Sequence, residues 1–329
     1  MSGRESALGA LYGLAIGDAL GMPTQLMSRE AIVARYGAIR GFEPADADHP
    51  LAAGMAAASV TDDTEQAFLV ARLLIEGNGH VDGRAFAGEL VRWEDGMRAR
   101  GSLDLLGPST KRAVEAVIEG ESVDESGRYG TTNGAAMRVA PIGIVVPSGD
   151  AAQLVDRVVE VSRVSHNTGV AIAAASAVAA VVSAAIDGAD AVAAIEFAIE
   201  AARVGAGRGY WVAAADIGAR IRLALEVADR SDIAASLVRI YEVVGTSLAS
   251  QESVPAAFGI LSLYPGDPWQ ACLSAASLGG DSDTVAAMVG AMAGALYGVE
   301  ALPLDARQTV ARVNSLDVEP VVDALLALR

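Results

Sequence analysis

Residues 168–186 read TGVAIAAASAVAAVVSAAI, a stretch that contains no charged residue. A helix of this length could cross a lipid bilayer. However, the stretch consists mostly of Ala with Ser and Thr, and it lacks the Leu, Phe and flanking aromatic residues typical of membrane spans. We therefore predict a helix over 169–186 that is buried inside a soluble protein, and no membrane partner.

Helical patterns continue on both sides of this stretch over nearly the whole chain. Asp, Ser or Thr precedes many of their starts and Gly follows many of their ends, which is how helices usually begin and end. No alternating apolar pattern bounded by hairpin signals indicates strands. The sequence thus predicts an all-α protein with helices at 8–20, 63–76, 83–99, 109–119, 134–144, 151–164, 169–186, 191–204, 213–228, 233–244, 254–263, 269–276, 284–297, 305–313 and 318–328.

The composition favours one compact domain over 1–329. Hydrophobic residues make up 52% of the chain and charged residues 20%, which provides enough apolar side chains for a large core. The apolar residues are mostly Ala, Val, Leu and Ile, and an Ala-rich core indicates helices whose backbones lie close together. No linker, composition break or repeat of fixed period divides the chain.

The charge and the cysteine content limit the function classes. The net charge is −17 and Lys111 is the only lysine, so the general surface would repel nucleic acids, and we predict no nucleic-acid partner. With Cys272 as the only cysteine, no intrachain disulfide can form, which fits a reducing cytoplasm. The first residues lack the pattern of a signal peptide, so we expect a cytoplasmic protein. The sequence does not determine its oligomeric state.

Two acidic segments each run into a predicted helix. SVTDDTE at 59–65 precedes an apolar helix start, and so does GGDSDT at 279–284. Thr and Asp are favoured N-caps, and the helix dipole stabilises negative charge there, so capping is one explanation. A cap needs one side chain, whereas each segment offers several. The helix after Asp283 is nearly all small and apolar, and carboxylates at a buried helix end require neutralisation.

Clustered carboxylates and hydroxyls without His or Cys favour a hard cation. Mg²⁺, Mn²⁺ or Ca²⁺ would fit, whereas Zn²⁺ would not, and the three histidines show no zinc-binding spacing. Spacing alone does not show that the two segments converge. If they do, two ions could be held by Thr61, Asp62, Asp63, Asp281, Asp283 and Thr284.

These two segments and several further motifs make the chain resemble the ADP-ribosylglycohydrolase family. The paired acidic motifs, in this order and at this separation, are the specific part of the resemblance. The matching segments lie in the family's order between residue 7 and about residue 298: GALYG at 9–13, GDALGMP at 17–23, TDDT at 61–64, TNGAAMR at 132–138, PIG at 141–143, SHN at 165–167, ESVP at 252–255 and GGDSDT at 279–284.

The resemblance implies a compact orthogonal bundle of helices and a glycohydrolase with two Mg²⁺ or Mn²⁺ ions. The ions would hold the 2- and 3-hydroxyls of a ribose and position water at C1. The substrate would be an ADP-ribosylated compound or a smaller ribosylated molecule. Asp62, Asp63 and Asp283 would act in catalysis. One ion would be bound by Thr61, Asp62, Asp63 and Asp283, and the other by Asp281, Asp283 and Thr284.

Other matching residues have two interpretations each. Asn133 and Gly134 would bind the distal part of the substrate, or begin a helix. Asp18 would orient a metal ligand, or be a buried carboxylate with partners of its own. His166 would contact the substrate in the pocket or belong to the core. Arg138 would contact an anionic substrate or pair with a nearby carboxylate.

Three departures from the family pattern concern the substrate. Many relatives have Glu, in some a mobile acid, at the substrate-facing position of Gln25, and Gln cannot carry a proton for acid–base catalysis. Relatives that act on ADP-ribosylarginine have Asp at the position of Leu105, and the neighbouring Asp104 could replace it as a catalytic acid. No aromatic residue for stacking adenine is evident near 245–247. These departures slightly favour a small riboside over protein-linked ADP-ribose.

The same departures also fit a protein that binds ADP-ribose or a nucleotide without turnover. Retention of all six candidate metal-binding side chains argues against this alternative, because a protein that only binds need not keep both ions.

Overall fold

A computed structural model describes residues 1–102 and 106–329, so the predicted site residue Asp104 and the neighbouring Leu105 lie outside the described residues. The described residues form seventeen α-helices and, apart from isolated bridges, no β-structure, which confirms the all-α prediction. Helices α1 to α17 span Gly3–Gly21, Arg29–Tyr36, Asp62–Glu76, Gly83–Ala99, Pro108–Ile118, Gly134–Met137, Ala140–Val145, Ala151–His166, Gly169–Ile186, Ala191–Gly205, Ile217–Val227, Ile233–Arg239, Ser250–Leu263, Pro268–Ala276, Ser282–Tyr297, Leu304–Asn314 and Val318–Leu326.

Helix α1 packs along α15 with backbone against backbone. A Cβ atom at Gly13 would lie 2.0 Å from the carbonyl oxygen of Gly290, and one at Gly9 would lie equally close to that of Gly294. No side chain fits in this space, so this face of α1 requires glycine. At the end of α1, a Cβ atom on Gly21 would lie 2.4 Å from the Cα atom of Asp283. The end of α1 is therefore fixed beside the second acidic segment.

Helix α9 is the buried helix predicted over 169–186. In the described part of the chain it is the one helix long and apolar enough to cross a membrane, and 94% of that span is buried inside the protein. Helices α6, α7, α8, α10, α13 and α15 pack against it. The prediction that this helix belongs to the protein interior is confirmed.

Three segments differ from the predicted helices. Helix α2 is absent from the predicted set because Ile32 is its only buried residue, which leaves no apolar stripe to detect. The helix predicted over 134–144 is interrupted between α6 and α7, because Pro141 lacks an N–H group and its ring would clash with the carbonyl four residues earlier. The helix predicted over 233–244 continues as a π-helix from Ile240.

Gly13→Ala should destabilise the protein because the added methyl group would force α1 away from α15. Overpacking usually costs about 1–3 kcal/mol, and we expect the upper end here because two backbones are in contact. Thermal and urea unfolding would measure the change. Gly96→Ala in α4 is the matched control. No other described segment lies within 4 Å of its Cβ position, so the variant should be more stable by about 0.5–1 kcal/mol. Similar stability of both variants would contradict the packing argument.

Candidate metal centre and substrate cleft

The two acidic segments meet at the beginnings of α3 and α15. The hydroxyl of Thr284 donates a hydrogen bond to Oδ2 of Asp63 at 3.2 Å, which joins the first turns of the two helices. Oγ1 of Thr61 lies 3.3 Å from the same oxygen. The structure therefore brings together two segments whose convergence the spacing alone could not show.

Asp18, near the end of α1, holds the start of α3. Its fully buried carboxylate accepts hydrogen bonds from the backbone N–H and hydroxyl groups of Thr61 and Thr64, at 2.5 to 3.1 Å. Burial raises the pKa of Asp18 to about 6, although these hydrogen bonds oppose the rise. Asp18 is thus a buried carboxylate with partners of its own, and it also orients the predicted metal ligand Thr61.

Asp281, just before α15, is held by Asn133. Nδ2 of Asn133 donates to Oδ2 of Asp281 at 2.5 Å and to the hydroxyl of Ser253 at 3.0 Å. Neither Asn133 nor Asp281 makes a side-chain cap hydrogen bond at the helix it precedes. Capping therefore does not explain either side chain. Burial raises the pKa of Asp281 to about 6, against the opposing hydrogen bond from Asn133.

The cluster concentrates negative charge in the protein interior. Burial, and then the carboxylates of Asp18, Asp283, Asp62 and Asp281, raise the pKa of Asp63 well above its usual range. Among the described residues, no hydrogen bond reaches Oδ1 of Asp63, and no basic side chain forms an ion pair with it. In the described part of the chain, no group of three or more His, Cys, Asp or Glu side chains is already arranged to hold a metal ion.

A series of hydrogen bonds leads from Asp62 into the core. Nε2 of Gln66, one turn further along α3, donates to Asp62 at 3.0 Å, and Arg138 donates to Oε1 of Gln66 at 2.7 Å. Arg138 also donates to Ser165 at 2.6 Å, and its guanidinium lies 4.8 Å from the ring centre of Phe86. Burial lowers the pKa of Arg138 only to about 10, so it stays a cation near Asp62. This position favours support of a carboxylate over substrate contact.

His166, at the end of α8, extends this series. Its Nδ1 contacts the hydroxyl of Ser165 at 2.8 Å, and its Nε2 contacts that of Thr132 at 2.9 Å. The ring is fully buried, and burial together with the charge of Arg138 holds the pKa of His166 well below its usual value. A Cβ atom at Gly134 would lie 2.9 Å from Cε1 of the ring, so glycine lets the two segments approach closely. His166 therefore lies in the core beside the site.

A cleft of about 290 Å³ is formed partly by the cluster. Its remaining lining is largely apolar, and no Lys, Arg or His belongs to the lining in the described part of the chain. Four predicted site residues do not line the cleft, namely Thr61, Asp63, Arg138 and His166. The predicted site residues that do line it are Gln25, Asp62, Asn133, Gly134, Asp281, Asp283 and Thr284. The assignment of individual residues to metal or substrate stays a prediction.

The sequence analysis missed several side chains that support this site. Gln66 had a detectable signal, because it lies four positions after Asp62 and side chains at that spacing share a helix face. Ser165 and Ser253 lie in the matching segments SHN at 165–167 and ESVP at 252–255, but no role was predicted for either. They reach the site from distant parts of the chain, and serine is common in many other settings.

The fold and this cleft define an all-α protein in which two helix starts form a buried acidic centre. The family model for ADP-ribosylglycohydrolase matches residues 1–329, and the chain belongs to this family. Members of the family are hydrolases that act on ADP-ribosyl bonds and generally depend on metal ions.

Individual relatives match over nearly the whole chain. Uncharacterized protein YegU of Escherichia coli K12 is 35% identical over 99% of this chain and 97% of its own length. ADP-ribosylarginine hydrolase Tri1 of Pseudomonas putida is 29% identical over 98% of this chain and 81% of its own length. The solved structure of an ADP-ribosylglycohydrolase-related protein complex is 24% identical, covers 99% of both chains and has a TM-score of 0.72, which confirms the family fold.

The buried neutral His166 should make stability depend on pH. In the unfolded chain a histidine binds a proton below about pH 6.5, whereas native His166 does so only at lower pH. Its contribution to stability is therefore complete above about pH 6.5 and decreases as the pH falls toward the native pKa, by up to about 1.4 kcal/mol per pH unit.

His166→Gln removes this titration. The advantage in unfolding free energy of the wild type over the variant should therefore shrink between about pH 7 and pH 5. Urea unfolding at several pH values would measure it. An advantage that stays constant over this range would contradict a neutral native His166.

Proposed function

We propose that this chain hydrolyses the bond at the anomeric carbon of a ribosyl group, with two Mg²⁺ or Mn²⁺ ions held by the acidic cluster. The substrate is an ADP-ribosyl compound or a smaller N- or O-ribosyl compound. The hydrogen bond from Thr284 to Asp63 carries the proposal, because it joins two acidic helix starts from opposite ends of the chain beside a cleft.

The donor atoms fit hard divalent cations. All of them are carboxylate or hydroxyl oxygens, which Mg²⁺ and Mn²⁺ prefer. Oδ1 of Asp63 is buried without a hydrogen bond from any described residue, and the carboxylates around it raise its pKa, so positive charge here would be favourable. When bound, such ions supply Lewis-acid binding of a ribose diol and make water a better nucleophile. The residues that would hold them are Thr61, Asp62, Asp63, Asp281, Asp283 and Thr284.

Neighbouring buried side chains would hold these metal ligands in place through hydrogen bonds. Asp18 orients Thr61, and Asn133 orients Asp281 through a hydrogen bond of 2.5 Å. Such support of metal ligands by neighbouring groups is typically worth about 10–100-fold in metal affinity or activity.

In this scheme, proton transfer falls to carboxylates that line the cleft. Asp62 and Asp283 both belong to its lining, so either can accept the proton that the attacking water loses. Asp63 lies behind the lining and acts as a ligand in this scheme. Asp104, outside the described residues, is the proposed acid for a poor leaving group.

A turnover screen tests the proposal. ADP-ribosylarginine, O-acetyl-ADP-ribose and simple nucleosides would be incubated with Mg²⁺, Mn²⁺ or EDTA. We expect ribose or ADP-ribose release with one of the ions and none with EDTA. Saturable binding of ADP-ribose or a nucleotide without any release would instead favour the non-catalytic alternative.

Asp283→Asn should separate the metal's role from that of the fold. Because Asp283 is the proposed shared ligand, activity should fall by about 10³-fold or more, as expected for several kcal/mol of transition-state stabilisation. Added Mg²⁺ should raise the melting temperature of the wild type and not that of the variant. The melting temperature of the variant without metal would show that it folds. Equal stabilisation of both proteins by Mg²⁺ would argue against Asp283 as a ligand.

Gln66→Met should weaken the centre without removing a ligand. The substitution keeps the side-chain volume but removes the hydrogen bonds to Asp62 and Arg138. Mg²⁺ affinity measured by calorimetry should fall by about 10–100-fold. Gln153→Met, at an exposed position of α8, is the matched control and should leave the affinity unchanged. If both variants bind Mg²⁺ equally well, Gln66 has no positioning role.

A further inference from the structure

The cleft has an apolar part next to its carboxylates. Its described lining contains no basic side chain. Among these lining residues, the diphosphate of an ADP-ribosyl group would meet no cationic side chain. The volume of about 290 Å³ is also at the lower limit of ligand pockets, which measure roughly 300–1,000 Å³. A small uncharged group fits best against Leu26, Leu51, Leu106, Met137 and Leu248.

Gln25 adds a polar group to this lining. The residue is 4% exposed, and its Nε2 is buried without a hydrogen-bond acceptor among the described residues. A buried amide N–H group without an acceptor is unfavourable. A bound molecule that presents an acceptor to Gln25 would remove this penalty.

Two contacts fix the backbone at Gln25. The ring of His49 accepts at Nδ1 from the backbone N–H groups of residues 51 and 52, so its Nε2 must be the donor to the carbonyl oxygen of Gln25, at 3.0 Å. The N–H group of Leu26 donates to the carbonyl oxygen of Gly280 at 2.7 Å. Gln25 is therefore held next to the loop that carries the second acidic segment.

We propose that Nε2 of Gln25 donates a hydrogen bond to a carbonyl oxygen of the leaving group, and that the substrate is an uncharged N-riboside with a flat, carbonyl-bearing base. This inference rests on the proposed function, since it specifies the substrate of the same site. Gln25 would be a specificity-determining residue that neither gives nor takes a proton.

The chemistry of the step explains why a donor is useful at this position. Hydrolysis breaks the bond between ribose C1 and the base nitrogen and forms a bond from C1 to the water oxygen, while one water proton moves to the base. As the C1–N bond breaks, its electron pair spreads onto the base carbonyl oxygen. The hydrogen bond from Gln25 therefore becomes stronger in the transition state than in the bound substrate.

A matched pair of substrates tests this inference. Inosine has a carbonyl group at C6 of its base, and purine riboside lacks it. Turnover of both would be measured with Mg²⁺ or Mn²⁺ for the wild type, Gln25→Met and Gln25→Leu, and melting temperatures would show that the variants fold. We expect kcat/KM for inosine to fall by about tenfold in both variants, the usual effect of one lost hydrogen bond, with little change for purine riboside. Gln153→Met should change neither.

Other outcomes would contradict the inference. An equal fall for both ribosides, or no change for either, would show that Gln25 does not recognise the carbonyl group. Cleavage of ADP-ribosylarginine without cleavage of either riboside would also overturn the inference, while the proposed function would stand. If no ribosylated compound is cleaved with either ion, the proposed function itself fails and the inference fails with it.

Discussion

The backbone contact between α1 and α15 is the constraint on which the rest of the structure depends. Glycines on both helices allow this approach, because a methyl group at Gly13 or Gly290 would overlap a carbonyl oxygen of the opposite helix. The contact positions the end of α1 against the start of α15. From there Asp18 reaches the start of α3, so one helix aligns both acidic segments.

The acidic centre shows how a folded chain can keep several carboxylates in its interior. Hydroxyl, amide and backbone N–H groups from other segments hold individual carboxylates, and the buried cation Arg138 is linked to Asp62 by hydrogen bonds through Gln66. Such neutral donors orient the carboxylates without neutralising them. Burial, and then the neighbouring carboxylates, raise the pKa of Asp63, which is the basis for proposing hard cations at this centre.

The cleft combines this centre with a lining of different chemistry. Carboxylates and a threonine hydroxyl form one part of the lining, and leucines, a proline and a methionine form much of the rest. Members of the family act on ADP-ribosyl bonds, and the apolar part of this lining is the basis for the proposal that a smaller, uncharged riboside binds here.

The sequence by itself predicted most of the helices and the two acidic helix starts, and its expectation of a hard cation stays a prediction. These features depend on residues within a few turns of one another, because helix periodicity, capping and ligand type are local properties. Even there, Arg29–Tyr36 was missed because a nearly unburied helix leaves no apolar pattern.

Only the tertiary structure decided how these parts meet. The bond between Thr284 and Asp63 spans 221 residues and that between Asn133 and Asp281 spans 148, so no local pattern predicts either. The same holds for Arg138, whose motif fits a surface contact for an anion as well as the buried position that it occupies. These long-range contacts follow from the way whole helices pack together. That packing depends on close backbone approach at a few glycines, and the residues next to each contacting side chain do not reveal it.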